Sequence, residues 1–171
     1  AVAMNLQRYG HFGRLSCYSL ARPLSARWAE LVSNSLQHRY PQSHIIKKNR
    51  AAGGSTVQWG VENAQKLICP CKPDLVILGF GMNSMQEPAE VYKTAILSII
   101  QTIRSEHPDC EFLLVSPMIP NPEIRGLPGI NQLPAQQDAL YQIAAESEGY
   151  VLLRRTPCSA SLLPIKSIIW N

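Results

Sequence analysis

Apolar positions along this chain keep two rhythms, one helical and one continuous, and the two alternate. In SARWAELVSNSLQHRY (25–40), Trp28, Leu31, Val32, Ser35 and Leu36 share one helical face, and Pro41 stops the pattern. SHIIKKN (43–49) predicts a short strand, and AAGGST (51–56) a loop. VQWGVENAQKLI (57–68) returns to helical spacing through Val57, Val61, Ala64 and Leu67 or Ile68. DLVILGF (74–80) is an unbroken apolar run, as a strand buried on both faces requires. Residues 88–107 form the longest helical pattern. Pro88 suits its first turn, Val91, Ala95, Ile99 and Ile103 recur every fourth position, and Pro108 follows its end. CEFLLVSP (110–117) predicts another strand, followed by a Pro- and Gly-rich loop to position 134. A helix at 135–148 capped by Gly149 and a last strand, YVLL (150–153), complete the pattern.

Strands alternating with helices imply an α/β fold, a parallel sheet with helices on both faces and hence three layers. No repeat or low-complexity linker interrupts the pattern, so residues 1–171 read as one domain. In such a sheet every loop that follows a strand leaves from the same edge, and ligands bind there. Three loops qualify: 49–56, 81–87 and 117–134. Gly53 and Gly54 lie on the first and Asn83 on the second.

Composition narrows the class. The chain has 171 residues, 46% apolar and 16% charged, as a soluble globular protein does. No apolar stretch is long enough to span a bilayer, so no membrane insertion is expected. The start, AVAMNLQRYG, lacks the basic and apolar regions of a secretory signal, which leaves the compartment open. The net charge of +4 is concentrated at the ends. Residues 1–29 carry four arginines and no acid, and residues 149–171 carry Arg154, Arg155 and Lys166, again without an acid. The middle is mildly acidic, with nine basic residues against twelve acids. A nucleic-acid partner is therefore not expected, although basic tails that attract anions keep a binding module in view. The five cysteines are an odd number, and Cys69-Pro-Cys71 is not a C-x-x-C pair. Neither a full disulfide framework nor a metal site is expected, and no cofactor is implied.

The candidate loops exclude several chemistries. A dinucleotide fingerprint fails because Ser84 stands where the third glycine belongs and Gly79 lies inside the strand. A phosphate-binding P-loop fails because AAGGST has no lysine. Paired carboxylates would require acids on these loops, and only Glu87 and Glu123 are near. Acyl transfer remains. Its tetrahedral intermediate places negative charge on one oxygen, and backbone N–H groups and an asparagine amide are suitable fixed donors. Gly54 and Asn83 offer those donors, although ordinary loop and turn chemistry also explains both residues.

Four blocks, RWAELVSNSLQHRYP, NRAAGGSTVQWGVENA, KPDLVILGFGMNSM and EFLLVSPMIPNPE, resemble the SGNH or GDSL hydrolases in order and spacing. The resemblance runs from about Leu24 to Leu153 and points to the esterase branch. It implies a flavodoxin-like sheet and activity on small acyl or acetyl esters, acetylated glycans among them. It assigns the oxyanion N–H to Gly54 and the oxyanion amide to Asn83. Ser84 replaces the family's loop-bracing aspartate, a change expected to loosen Asn83.

Both ends depart from the family pattern. The family's nucleophile block is a strand followed by Gly-Asp-Ser, and no Gly-Asp-Ser occurs here. Ser16 is the nearest candidate nucleophile, and AVAMNL or RLSCYSL must fill the slot of the first strand. The family's Asp-x-x-His block is also missing, since no Asp, Glu or His follows Glu148. The base is thus unassigned among His11, His38, His44 and His107. His38 and His107 fall at helix ends, and His44 at the sheet edge opposite the loops. The fold is accordingly expected to be incomplete at both ends. Displaced reading frames around an SGNH core, or divergence, explain that pattern. A catalytically inactive protein with a residual ligand-binding edge is the alternative to an active esterase.

Overall fold

The computed structural model describes residues 2–8, 28–118, 128–146, 150–155 and 160–162. Among the described residues, six strands form one sheet in the order β2-β1-β3-β4-β5-β6. They are β1 (Val2–Arg8), β2 (Ser43–Asn49), β3 (Leu75–Gly79), β4 (Glu111–Val115), β5 (Tyr150–Arg155) and β6 (Ala160–Leu162). The described residues also form four α-helices: α1 (Trp28–Arg39), α2 (Val57–Leu67), α3 (Ala89–Glu106) and α4 (Leu133–Glu146). This is the expected α/β fold, and the interior strands and helices lie where the hydrophobic pattern places them. None of the described helices is long and apolar enough to cross a membrane.

The strand order is flavodoxin-like, with β3, β4 and β5 paired in parallel. Two strands run the other way. β1 is antiparallel to both neighbours, with Val2 opposite Asn49 and Ile77, and Arg8 opposite Ser43. β6 is antiparallel to β5 and has no counterpart in the sequence-based expectation. The wholly parallel sheet therefore needs correction at these two strands. VAMNLQR fills the central slot, but it lacks the unbroken apolar run of β3. Its apolar and polar residues partly alternate, the pattern of antiparallel strands.

Among the described residues the two sides of the sheet are covered unequally. On one side Val76 and Leu78 of β3, Phe112 and Leu114 of β4 and Leu152 of β5 meet Val57 and Ala64 of α2. The same core takes Tyr92, Ile96, Ile99 and Ile103 of α3, and Leu140 and Ile143 of α4. The buried stripe of α3 runs through Tyr92 and Ala95, not Val91, which is 52% exposed. On the other side Ile77 packs with Ile45, Leu75, Leu113 and Val115 beneath Val32 and Leu36 of α1. Leu31 and Ser35 of α1 point to solvent, so Ala29, Val32 and Leu36 make its packing face.

Close packing sets the path out of β3. A side chain at Gly60 would meet Phe80 Cζ at 2.6 Å, so the absence of one lets α2 lie directly on the strand's exit. Tyr92 lies fully buried beneath that exit and donates its hydroxyl to the Phe80 carbonyl at 3.1 Å. Burial, and then the nearby charge of Glu87, raise its pKa, so it remains a neutral donor.

Candidate functional site

The ends of β2, β3 and β4 deliver three loops to one edge, and the N-termini of α2, α3 and α4 face the same way. The first loop starts with an asparagine turn. Asn49 is 5% exposed, and its Oδ1 accepts the Ala51 N–H at 2.7 Å. A second turn follows, with the Ser55 N–H and hydroxyl both donating to the Ala52 carbonyl. Gly54 lies inside that turn at φ +78°, where side-chain-bearing residues are strained. Nothing stands within 4 Å of where its Cβ would be. Gly53 and Gly54 are both exposed. Thr56 then caps α2 by accepting the Trp59 N–H.

The second loop reaches back to the first. Asn83 is exposed, and its Nδ2 donates to the Ser55 carbonyl at 3.2 Å, which holds it one residue from Gly54. An amide nitrogen carries two hydrogens, so one remains for another acceptor. Ser84 is 2% exposed, and its Oγ accepts the Val57 N–H at 2.8 Å. That N–H belongs to the first residue of α2, one of the donors a helix leaves without an internal partner. Ser84 therefore ties the second loop to the helix that follows the first. Gly81, at φ +125°, packs against the third loop: a Cβ there would lie 2.6 Å from that of Pro117.

Sequence reasoning missed the contribution of α4. Gln136 donates to the carbonyls of Ser84 and Glu87, and Gln137 donates to that of Pro117. The available signal was polar residues in a buried register, since Gln136 and Gln137 fall between Leu133 and Leu140 on the packed face.

Of the remaining candidates, His38, His44 and His107 are not brought to this edge. Ser16 and His11 lie outside the described residues. β1 itself starts at the candidate edge and ends with Arg8 at the opposite one. His38 in the last turn of α1 and His44 at the start of β2 are exposed at that far edge. His107, expected to be solvated, is half-buried instead, with Nε2 2.8 Å from the Cys69 carbonyl. It caps the far end of α3. Three of the four histidines therefore share the edge away from Gly54 and Asn83. Cys69, Cys71 and Cys110 are free and buried. Burial is the main influence pushing the Cys110 thiol up, to about 12. Among the described residues no group of three or more His, Cys, Asp or Glu side chains is arranged to hold a metal.

Solved structures with this fold are SGNH hydrolases. A single-residue variant of Axe2, an acetyl xylan esterase of Geobacillus stearothermophilus, superposes with a TM-score of 0.63 at 21% identity. That match covers 83% of this chain and 73% of the esterase. TesA superposes at 0.62 with 20% identity, over 82% of this chain and 74% of its own. A protein of Streptococcus pneumonia named for platelet activating factor gives 0.56 at 18% identity. There the match covers 70% of this chain but only 58% of the other. This chain has the SGNH hydrolase fold. No protein-family model and no curated protein sequence matches it. Two further Axe2 structures are of catalytic mutants, one with an aspartate and one with a histidine replaced by alanine.

Proposed function

We propose that this chain is an SGNH-type ester hydrolase acting on small acyl or acetyl esters, with acetylated carbohydrates as a substrate class. In this reading the Gly54 N–H and the second Asn83 amide hydrogen receive the oxygen that turns negative as a serine hydroxyl attacks the ester carbonyl. A histidine takes the hydroxyl proton and returns it to the departing alcohol. Ser16 is the candidate nucleophile, and His11 is the histidine closest to it in sequence.

One observation carries the proposal. Asn83 and the Gly54 turn come from different strand–helix units, yet a hydrogen bond from Asn83 to Ser55 joins them at the ligand-binding edge. A turn-forming asparagine has no need of a partner 28 residues away in the chain. The acyl substrate class is supported by the esterases that share the fold.

A second reading is favoured by the far-edge placement of His38, His44 and His107: a protein that binds the acyl group without cleaving it. Hydrolysis of p-nitrophenyl acetate by the purified chain separates the two. The hydrolase reading expects turnover that falls about a hundredfold or more in Asn83→Ala. Binding of an acetylated xylo-oligosaccharide without turnover, lost in Asn83→Ala, supports the second reading. Turnover that Asn83→Ala leaves unchanged would falsify the oxyanion assignment.

A further inference from the structure

Two adjacent glutamines in the first turn of α4 are turned inward, Gln136 with 0% exposure and Gln137 with 4%. Gln136 Nε2 donates to the Ser84 carbonyl at 2.8 Å and to the Glu87 carbonyl at 2.9 Å. Gln137 Nε2 donates to the Pro117 carbonyl at 2.8 Å. Gln136 thus commits both of its N–H donors to the loop after β3, and Gln137 reaches the loop after β4. The Oε1 of Gln136 is buried with no hydrogen-bond partner among the described residues. An orphaned buried acceptor is destabilising. For packing alone, an apolar side chain would suit this register better.

We propose that Gln136 and Gln137 are positioning residues that fix Asn83 for its role as oxyanion donor. The proposal rests on the hydrolase reading given above. Asn83 hangs between two anchors. On its carboxyl side Ser84 is held three ways: its hydroxyl by the Val57 N–H, its carbonyl by Gln136, and its N–H by the Gly81 carbonyl. On its amino side Gly81 lies against Pro117, whose carbonyl Gln137 holds. Each anchor ends on one of the two glutamines, so the start of α4 sets the position of Asn83 from both sides. All three partners are carbonyls, so the position requires donors. Glutamate would present an anion to them, and methionine would present nothing.

The test is a double-substitution cycle. Gln136→Met keeps the length of the side chain and removes both donors. It is expected to lower kcat for p-nitrophenyl acetate roughly tenfold or more, with little change in KM. The same substitution in an Asn83→Ala background is expected to have almost no further effect, because the residue it positions is gone. Equal losses in the two backgrounds indicate a general structural role and overturn the proposal. Should Gln136→Met not fold, Gln137→Met carries the same cycle through the Pro117 anchor. Hydrogen exchange gives a readout independent of turnover. The Ser84 and Glu87 amides, bonded to Gly81 and Ser84, are expected to exchange about tenfold faster in Gln136→Met, while amides in the second half of α4 are unchanged. Unchanged exchange at both overturns the proposal. If the unsubstituted chain turns over no ester, the hydrolase reading fails separately and the exchange result decides the positioning role.

Discussion

At one edge of the sheet, polar side chains reach across from loop to loop; at the other, His107 is used up on a helix end and the cysteines are buried. The loop edge holds Asn83 bonded to Ser55, Ser84 bonded to Val57, and two glutamines on three carbonyls. The far edge holds His107 on the Cys69 carbonyl and the buried Cys69 and Cys110. Long-range bonds at the first edge fix the relative positions of separate loops, as preorganised donors require. Those at the second secure the closed ends of helices. The contrast teaches that the loop edge fixes Asn83 beside the Gly54 turn, while the described histidines lie at the opposite edge.

The largest expected effect tests how tightly the loop edge is built. Gly129 has φ +79°, and a Cβ there would sit 2.3 Å from the Met85 carbonyl oxygen and 2.6 Å from Gln86 Cα. Those atoms are backbone, so no side chain can swing aside. Gly129→Ala is expected to cost more than about 3 kcal/mol, from left-handed strain plus overpacking. Denaturant unfolding measures it. A loss below about 1 kcal/mol would show that the Met85–Gln86 segment yields easily, and the picture of a rigid edge would fail.

Asn83→Ala comes next and separates chemistry from scaffold. Asn83 is exposed and makes one long hydrogen bond, so its removal is expected to change stability by about 0.5 kcal/mol at most. Its effect on turnover is expected to be about a hundredfold, close to 2.7 kcal/mol of transition-state stabilisation. Equal effects on stability and activity would remove the distinction between the edges.

How much of this was readable beforehand differs by region. β2, α2, β3, α3, β4 and α4 follow from their own periodicity, because each buries a continuous stripe or run and short-range pattern suffices. The meeting of the AAGGST and Asn83 loops also follows, since strand order places them on one edge. β1 does not follow. Its direction depends on pairing with strands some forty and seventy residues away, and the partial alternation of VAMNLQR is too weak a local signal to fix that direction. The exposed Val91 and Leu31 show the second limit. Helical spacing accommodates two adjacent stripes, and only contact with the sheet chooses between them. Gln136 and Gln137 show a third. Polar residues in a buried register announce a partner, but their partners lie 20 to 52 residues away, on loops whose course the pattern does not define.

Ser84→Ala measures the link between the second loop and α2. The serine stands where the resemblance places an aspartate, and it supplies the acceptor for the buried Val57 N–H. Its loss is expected to cost about 1–2 kcal/mol, the range of a removed helix cap with an orphaned donor. Turnover should fall as well, because the same residue anchors Asn83. A stability loss with unchanged turnover would mean that Asn83 is held by its own bond to Ser55 alone.

The smallest expected effect lies at the far edge and is the control for the others. His107 Nε2 meets the Cys69 carbonyl at 2.8 Å, joining the end of α3 to the Cys69–Cys71 turn. His107→Ala is expected to cost about 1 kcal/mol, the typical net value of one hydrogen bond. Ester turnover and its pH profile should match those of the unsubstituted chain, since the imidazole serves the scaffold at the closed end of the sheet. A collapse of turnover would instead make His107 the missing base. The far edge would then be the reactive one, and the roles of the two edges would be exchanged.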